Sequence, residues 1–126
     1  GEKHGYGEEV WPDGSKYTGN YSNNQRNGFG IQIYKDGTSY EGNWSSGLKH
    51  GKGKEVYPNG DVYDGQWQFG EKDGYGSFKN QSGVVYTGEF KKGLPNGVGV
   101  FAKQNGEKIR GFWAQGNYEQ TPSASR

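Results

Sequence analysis

Tyr40-Glu41-Gly42-Asn43-Trp44 decides the fold, because the same phrase is written five times. It first stands as Tyr17-Thr18-Gly19-Asn20-Tyr21 and returns as Tyr63-Asp64-Gly65-Gln66-Trp67, Tyr86-Thr87-Gly88-Glu89-Phe90 and Ile109-Arg110-Gly111-Phe112-Trp113. Each step is 23 residues, with no insertion or deletion. A fixed period of this size marks a stack of like supersecondary units that bury their apolar faces against one another. A unique catalytic pocket fits such a chain poorly.

Working outward from the phrase, all 25 glycines fall in the same frame. Gly-x-Gly pairs recur at Gly28/Gly30, Gly51/Gly53, Gly74/Gly76 and Gly97/Gly99, and Asp-Gly or Asn-Gly turns at Asp13-Gly14, Asp36-Gly37, Asn59-Gly60 and Asn105-Gly106. A loop glycine follows each phrase at Gly47, Gly70, Gly93 and Gly116, where Asn24 stands in once. Asn tolerates the left-handed conformation best among non-glycine residues, so the exchange implies positive φ there. Within the repeats no glycine-free stretch exceeds 8 residues. Ordinary helices run about 11 residues, and each interior glycine costs roughly 1 kcal/mol, so helices are excluded.

Each repeat therefore reads as two antiparallel strands, joined to the next repeat by the Asp-Gly or Asn-Gly turn. The expected fold is all-β: a single-layer, twisted antiparallel β-meander of about ten strands. At roughly 4.8 Å per strand it would extend on the order of 45–50 Å. Side chains alternate along a strand, so Tyr40, Gly42 and Trp44 share a face while Glu41 and Asn43 share the other. Trp11, Tyr34 and Tyr57 have the parity of their Gly-x-Gly pairs, and Phe78 and Phe101 keep that face after a two-residue shift. The result is one aromatic and glycine face and one largely polar face.

Composition agrees. Only 28% of residues are hydrophobic, and Trp 4, Tyr 10 and Phe 6 supply the bulk of the core. A net charge of +1 spread along 126 residues gives no concentrated basic field for nucleic acid. Cys is absent, which removes disulfides, thiolate metal sites and thiol nucleophiles, and fits a reducing compartment. No apolar run approaches the roughly 18 residues of a membrane span, and no signal-peptide pattern opens the chain.

Residues with chemical potential are explained by the repeat. His4 and His50 hold one repeat position with Asn27, Asp73 and Asn96, which suits a loop residue tolerating unusual backbone angles. The Gly-x-Gly pairs lack the third glycine and the helix that phosphate loops need. Asp13, Asp36, Asp61 and Asp64 are periodic turn and strand-edge carboxylates. Catalytic residues, metal ligands and cofactors are therefore not expected. Asn20-Tyr21-Ser22, Asn43-Trp44-Ser45 and Asn80-Gln81-Ser82 match the glycosylation sequon by coincidence of an Asn- and Ser-rich chain.

Taken together, Tyr-x-Gly-x-Trp, the loop glycine, Gly-x-Gly and Asp/Asn-Gly resemble the MORN repeat (membrane occupation and recognition nexus). The resemblance covers residues 1–117, and residues 118–126 are expected to be a polar, disordered tail. Departures are Ile109 for the first Tyr, Tyr21 and Phe90 for the Trp, and Asn24 for Gly. The resemblance implies a groove-bearing sheet that acts as a docking or assembly module. Such arrays also accompany phosphoinositide kinases and lysine methyltransferases, so an accessory role beside a catalytic domain is a further expectation.

Two readings of the rings follow. They tile one face and pack on each other, or they line a groove for a protein segment or a second copy. The groove set is Trp11, Tyr17, Tyr21, Tyr34, Tyr40, Trp44, Tyr57, Tyr63, Trp67, Tyr86, Phe90 and Trp113. The family name adds anionic membrane or phosphoinositide binding through Lys49, Lys52, Lys54, Lys91 and Lys92, set against ordinary solvated charge. The expected location is cytoplasmic, at the cytoskeleton or peripheral at a membrane.

Overall fold

The computed structural model describes residues 3–119. Its strands are β1 (Gly5–Val10), β2 (Lys16–Ser22), β3 (Gln25–Ile33), β4 (Ser39–Ser45), β5 (Leu48–Val56), β6 (Val62–Gln68), β7 (Glu71–Lys79), β8 (Val85–Lys91), β9 (Leu94–Ala102), β10 (Lys108–Ala114) and β11 (Asn117–Glu119). They form one antiparallel sheet in sequence order, a meander without crossovers. The expected architecture holds, with one correction: β11 pairs with β10 beyond Trp113, where the last strand was expected. Tyr118, placed in the tail by its sequence, lies in that strand; residues 120–126 are outside the described residues.

The glycines set the register. Gly7, Gly19, Gly30, Gly42, Gly53, Gly65, Gly76, Gly88, Gly99 and Gly111 pair in succession, making a bare row that crosses ten strands. Over this row lie the tyrosines. Tyr40 projects across Gly53 so closely that a Cβ built there would sit 2.1 Å from the phenol oxygen. The Tyr40 hydroxyl donates to the Asn43 carbonyl at 2.8 Å, and Tyr17, Tyr63 and Tyr86 repeat the arrangement three residues from their own acceptors.

The rings then pack edge to face in an unbroken series. Tyr21, Tyr17, Trp44, Tyr40, Trp67, Tyr63, Phe90, Tyr86, Trp113 and Tyr118 touch in turn, with centroids 4.9–5.6 Å apart. That is the favoured geometry for quadrupolar rings. Trp44 and Trp67 each donate an indole N–H to the carbonyl of a row glycine, Gly30 and Gly53, at 3.3 and 3.0 Å. One layer of sheet thus builds its core from its own side chains, without a second layer.

Two kinds of corner alternate. At Trp11–Ser15 the Gly14 N–H donates to the Trp11 carbonyl and the Trp11 N–H to that of Ser15, both at 2.9 Å, with φ of 97° at Gly14. This is a three-residue hairpin closed by a positive-φ glycine, not the two-residue turn that Asp-Gly usually signals. The two-residue type falls at the loop glycines, where both central residues are left-handed: Asn23 and Asn24, Ser46 and Gly47, Phe69 and Gly70, Lys92 and Gly93, Gln115 and Gly116. The positive φ expected at Asn24 is 67°. Each such turn is tied one repeat back, as when the Gly47 N–H donates to the Arg26 carbonyl at 2.9 Å.

The residues grouped with His50 also need correcting. Asn27, His50, Asp73 and Asn96 lie within strands β3, β5, β7 and β9, and the positive φ falls on the glycine that follows each. Asn27 and Asn96 accept the backbone N–H of Ser46 and Gln115, so this position anchors the neighbouring turn.

Phe69 holds φ of 50° while 69% exposed, so its strained backbone gains little from burial. Phe69→Asn is expected to stabilise the fold by about 1 kcal/mol and so raise the urea midpoint, because Asn visits this region at lower steric cost. An unchanged or lowered midpoint would show that the 5.7 Å contact of Phe69 with His50 outweighs the strain.

Candidate functional site

Of the twelve rings assigned to a groove, nine are core. Tyr17, Tyr40 and Tyr63 are 0% exposed, and Tyr21, Trp44, Trp67, Tyr86, Phe90 and Trp113 are buried with them. Direct contact of Tyr40, Trp44, Tyr63 or Trp67 with a partner is therefore corrected. Trp11, Tyr34 and Tyr57 remain half-buried at the surface of the ring side.

What covers the core is a set of cations at the repeat period. Arg26 lies 4.6 Å from the Trp44 centroid, Lys49 about 5 Å from Tyr34, Tyr40 and Trp67, and Lys72 within 5.6 Å of Tyr57, Tyr63 and Trp67. Their aliphatic stems shield the rings, and their charges meet the negative ring faces. Pro95 holds the next place in the series.

Three open clefts result, each made of the same parts. The first, about 600 Å³, has Trp11, Arg26 and Gln32; the second, about 630 Å³, has Tyr34, Lys49 and Glu55; the third, about 570 Å³, has Tyr57, Lys72 and Phe78. In the first, Arg26 donates to Gln32 Oε1 at 3.0 Å and to the Gly47 carbonyl at 3.1 Å. In the second, Lys49 Nζ meets the buried Glu55 carboxylate at 2.6 Å, and the Tyr57 hydroxyl donates to the other Glu55 oxygen. Arg26, Gln32, Glu55, Lys72 and Phe78 were not singled out as site residues from sequence. Their signal was present: Lys3, Arg26, Lys49 and Lys72 stand 23 residues apart.

The lysines assigned to lipid headgroups do not form one surface. Lys49 is on the ring side, with its side chain only 16% exposed and ion-paired, which corrects its assignment as a headgroup contact. Lys52 and Lys54 are exposed on the opposite face, where Lys54 lies in register between Glu41 and Asp64. Lys91 ends β8, and Lys92 occupies a turn. The opposite face is also less polar than expected: Tyr6, Phe29, Tyr75 and Val98, the middle residues of Gly-x-Gly pairs, are 49–75% exposed.

Burial dominates the titration of the phenols. It pushes Tyr21 up to about 12 and holds Tyr40, Tyr57 and Tyr63 further above the ordinary value, with Glu55 adding to the shift at Tyr40 and Tyr57. In the unfolded chain these protons leave near pH 10, while the folded chain keeps them. The unfolded state then binds fewer protons, so stability is intact below about pH 10 and falls as pH rises. Phenolate absorbance is expected to climb in a cooperative step together with loss of the far-ultraviolet sheet signal. Gradual ionisation of all tyrosines around pH 10 with the sheet retained would contradict the buried ring series.

The open meander, with its rings over a glycine row, is matched over residues 1–108 by the family model "MORN repeat". The matches fall at residues 1–16, 17–39, 40–62, 63–85 and 86–108.

The chain belongs to the MORN repeat family.

The full-length MORN matches begin at Tyr17, Tyr40, Tyr63 and Tyr86, the first residue of each phrase, which is the frame the structure repeats. The Ile109 phrase lies beyond the matched residues, yet β10 and β11 continue the sheet. No match was found among curated proteins. MORN repeats are generally interaction or scaffold modules.

Proposed function

We propose that this MORN array is a non-enzymatic interaction module whose ring-side clefts accept a protein segment. The observation that carries the reading is the recurrence of one cleft design, an aromatic wall with a cation over buried rings, in three successive repeats. Two strands per repeat separate successive clefts by about 9.6 Å. A polyproline II segment repeats its side-chain direction every three residues, about 9.3 Å, and a helix nearly does so every seven, roughly 10.5 Å. Either can place side chains in consecutive clefts, whereas an enzyme site has no reason to recur. Half-buried rings beside cations are also the residues that dominate protein interfaces.

The ring variants that test this are Tyr34→Ala and Tyr57→Ala, since Trp44 and Trp67 are core. Random linear peptides displayed on phage are selected on the wild-type chain, and the recovered peptides are measured against the double variant. Loss of about tenfold or more in affinity, with the sheet signal intact, is the expected result. Recovery of no peptide, or equal binding by the variant, would overturn the reading.

A further inference from the structure

The three clefts differ in one respect that bears on what enters them. Positions 9, 32, 55 and 78 are equivalent, and there the chain supplies its own acceptor for the cation of the same repeat in all but the last. Lys3 Nζ lies 3.9 Å from Glu9, Arg26 donates to Gln32, and Lys49 pairs with Glu55. At position 78 stands Phe, so Lys72 has no ion pair within 4.0 Å and no side-chain hydrogen bond among the described residues. Its ammonium sits among the rings of Tyr57, Tyr63 and Trp67 in a cleft of about 570 Å³.

Other charges do not fill the vacancy. Asp61 lines the same cleft, but its two oxygens accept from the Gln81 N–H and the Asn59 amide of its own turn, at 3.0 and 3.2 Å. Glu55 reaches Lys72 only through space and is already held by Lys49 and Tyr57. Of the carboxylates that line the cleft row, Asp13, Asp36, Glu55 and Asp61, only Glu55 is buried and ion-paired with a cleft cation, Lys49. Partial burial lowers the Lys72 pKa, with the Lys49 charge adding to the fall and Glu55 opposing it.

We propose that the Lys72 cleft is a receptor for an Asp or Glu side chain of the bound protein segment, whose carboxylate takes the place that Glu55 holds beside Lys49. This rests on the reading of the clefts as a peptide site and adds its charge specificity. Phe78 and Tyr57 flank the incoming acid and exclude water, which strengthens a charge-assisted bond. A flat anionic membrane is the poorer occupant, because Lys72 is recessed and the exposed lysines Lys52 and Lys54 face the other way.

The test is the same display library selected in parallel on the wild-type chain, Lys72→Gln and Phe78→Glu, with folding followed by the sheet signal. Lys72→Gln removes the cation, and Phe78→Glu returns the internal carboxylate by an independent route. The wild type is expected to recover peptides with an acid at one fixed position, and both variants to bind those peptides about tenfold more weakly. An absence of acid preference, or a preference that survives both changes, would overturn the inference while leaving the peptide site standing. Recovery of no peptide by any of the three proteins would overturn both. Phosphatidylserine vesicles that sediment the wild type but not Lys72→Gln would assign Lys72 to a lipid surface and overturn the inference.

Discussion

Gly53→Ala is expected to destabilise the chain by about 3 kcal/mol or more, at the upper end of the usual cost of overpacking. The new methyl would lie 2.1 Å from Tyr40 Oη and 2.4 Å from Cζ, so the ring must move. It has nowhere to go. Its hydroxyl is bonded to the Asn43 carbonyl, and Trp44 and Trp67 stand against it at 5.0 and 5.2 Å. Small domains have only about 5–15 kcal/mol of stability in total, so the variant should unfold at much lower urea. Gly7 belongs to the same bare row and provides the contrast. A methyl there would meet only Tyr21, at 3.6 Å, an ordinary contact. Gly7→Ala is expected to be neutral or stabilising by a few tenths of a kcal/mol, since glycine inside a strand carries an entropic cost. Equal urea midpoints for the two variants would refute the argument that rings need the bare row.

Trp67→Ala should cost a comparable amount, about 3–5 kcal/mol. The indole is buried, touches Tyr40 and Tyr63 edge to face, and donates to the Gly53 carbonyl. Removing it deletes that hydrogen bond, empties a cavity and cuts the ring series midway. Repeats contact only their neighbours, so the two halves of the array should then unfold with separate urea midpoints. Trp67→Phe is the control. Phe90 already holds the equivalent place between Tyr63 and Tyr86, at 4.9 and 5.2 Å, so a phenyl edge suffices there. The phenyl variant should lose about 1–2 kcal/mol and keep a single transition, the cost of one hydrogen bond and some volume. A single transition in the alanine variant, with little loss of midpoint, would show that the ring series does not couple the repeats.

Much of this was legible from residue spacing. The 23-residue period, the glycine frame and the parity of the rings predict a one-layer meander, and the rings do lie over glycines. The corners were less legible. Phe69, Lys92 and Gln115 share no property that announces positive φ; the turn length and the following glycine impose it. The degree of ring burial was missed because the covering groups are Arg26, Lys49 and Lys72, residues that read as ordinary surface charge. Proximity in the chain also misled. Lys49, Lys52 and Lys54 look like one cluster, yet strand alternation sends Lys49 to the ring side and the other two to the opposite face. The clefts themselves were not legible, since they depend on three-dimensional neighbours such as Lys72 and Phe78.

Iodide quenching of a Trp11→Phe variant tests most directly whether the rings are the core of this single sheet. It leaves Trp44, Trp67 and Trp113, all buried. Their emission should be blue-shifted and nearly insensitive to iodide until the chain is unfolded in urea. Indoles quenched in the folded chain as strongly as in urea would contradict the account.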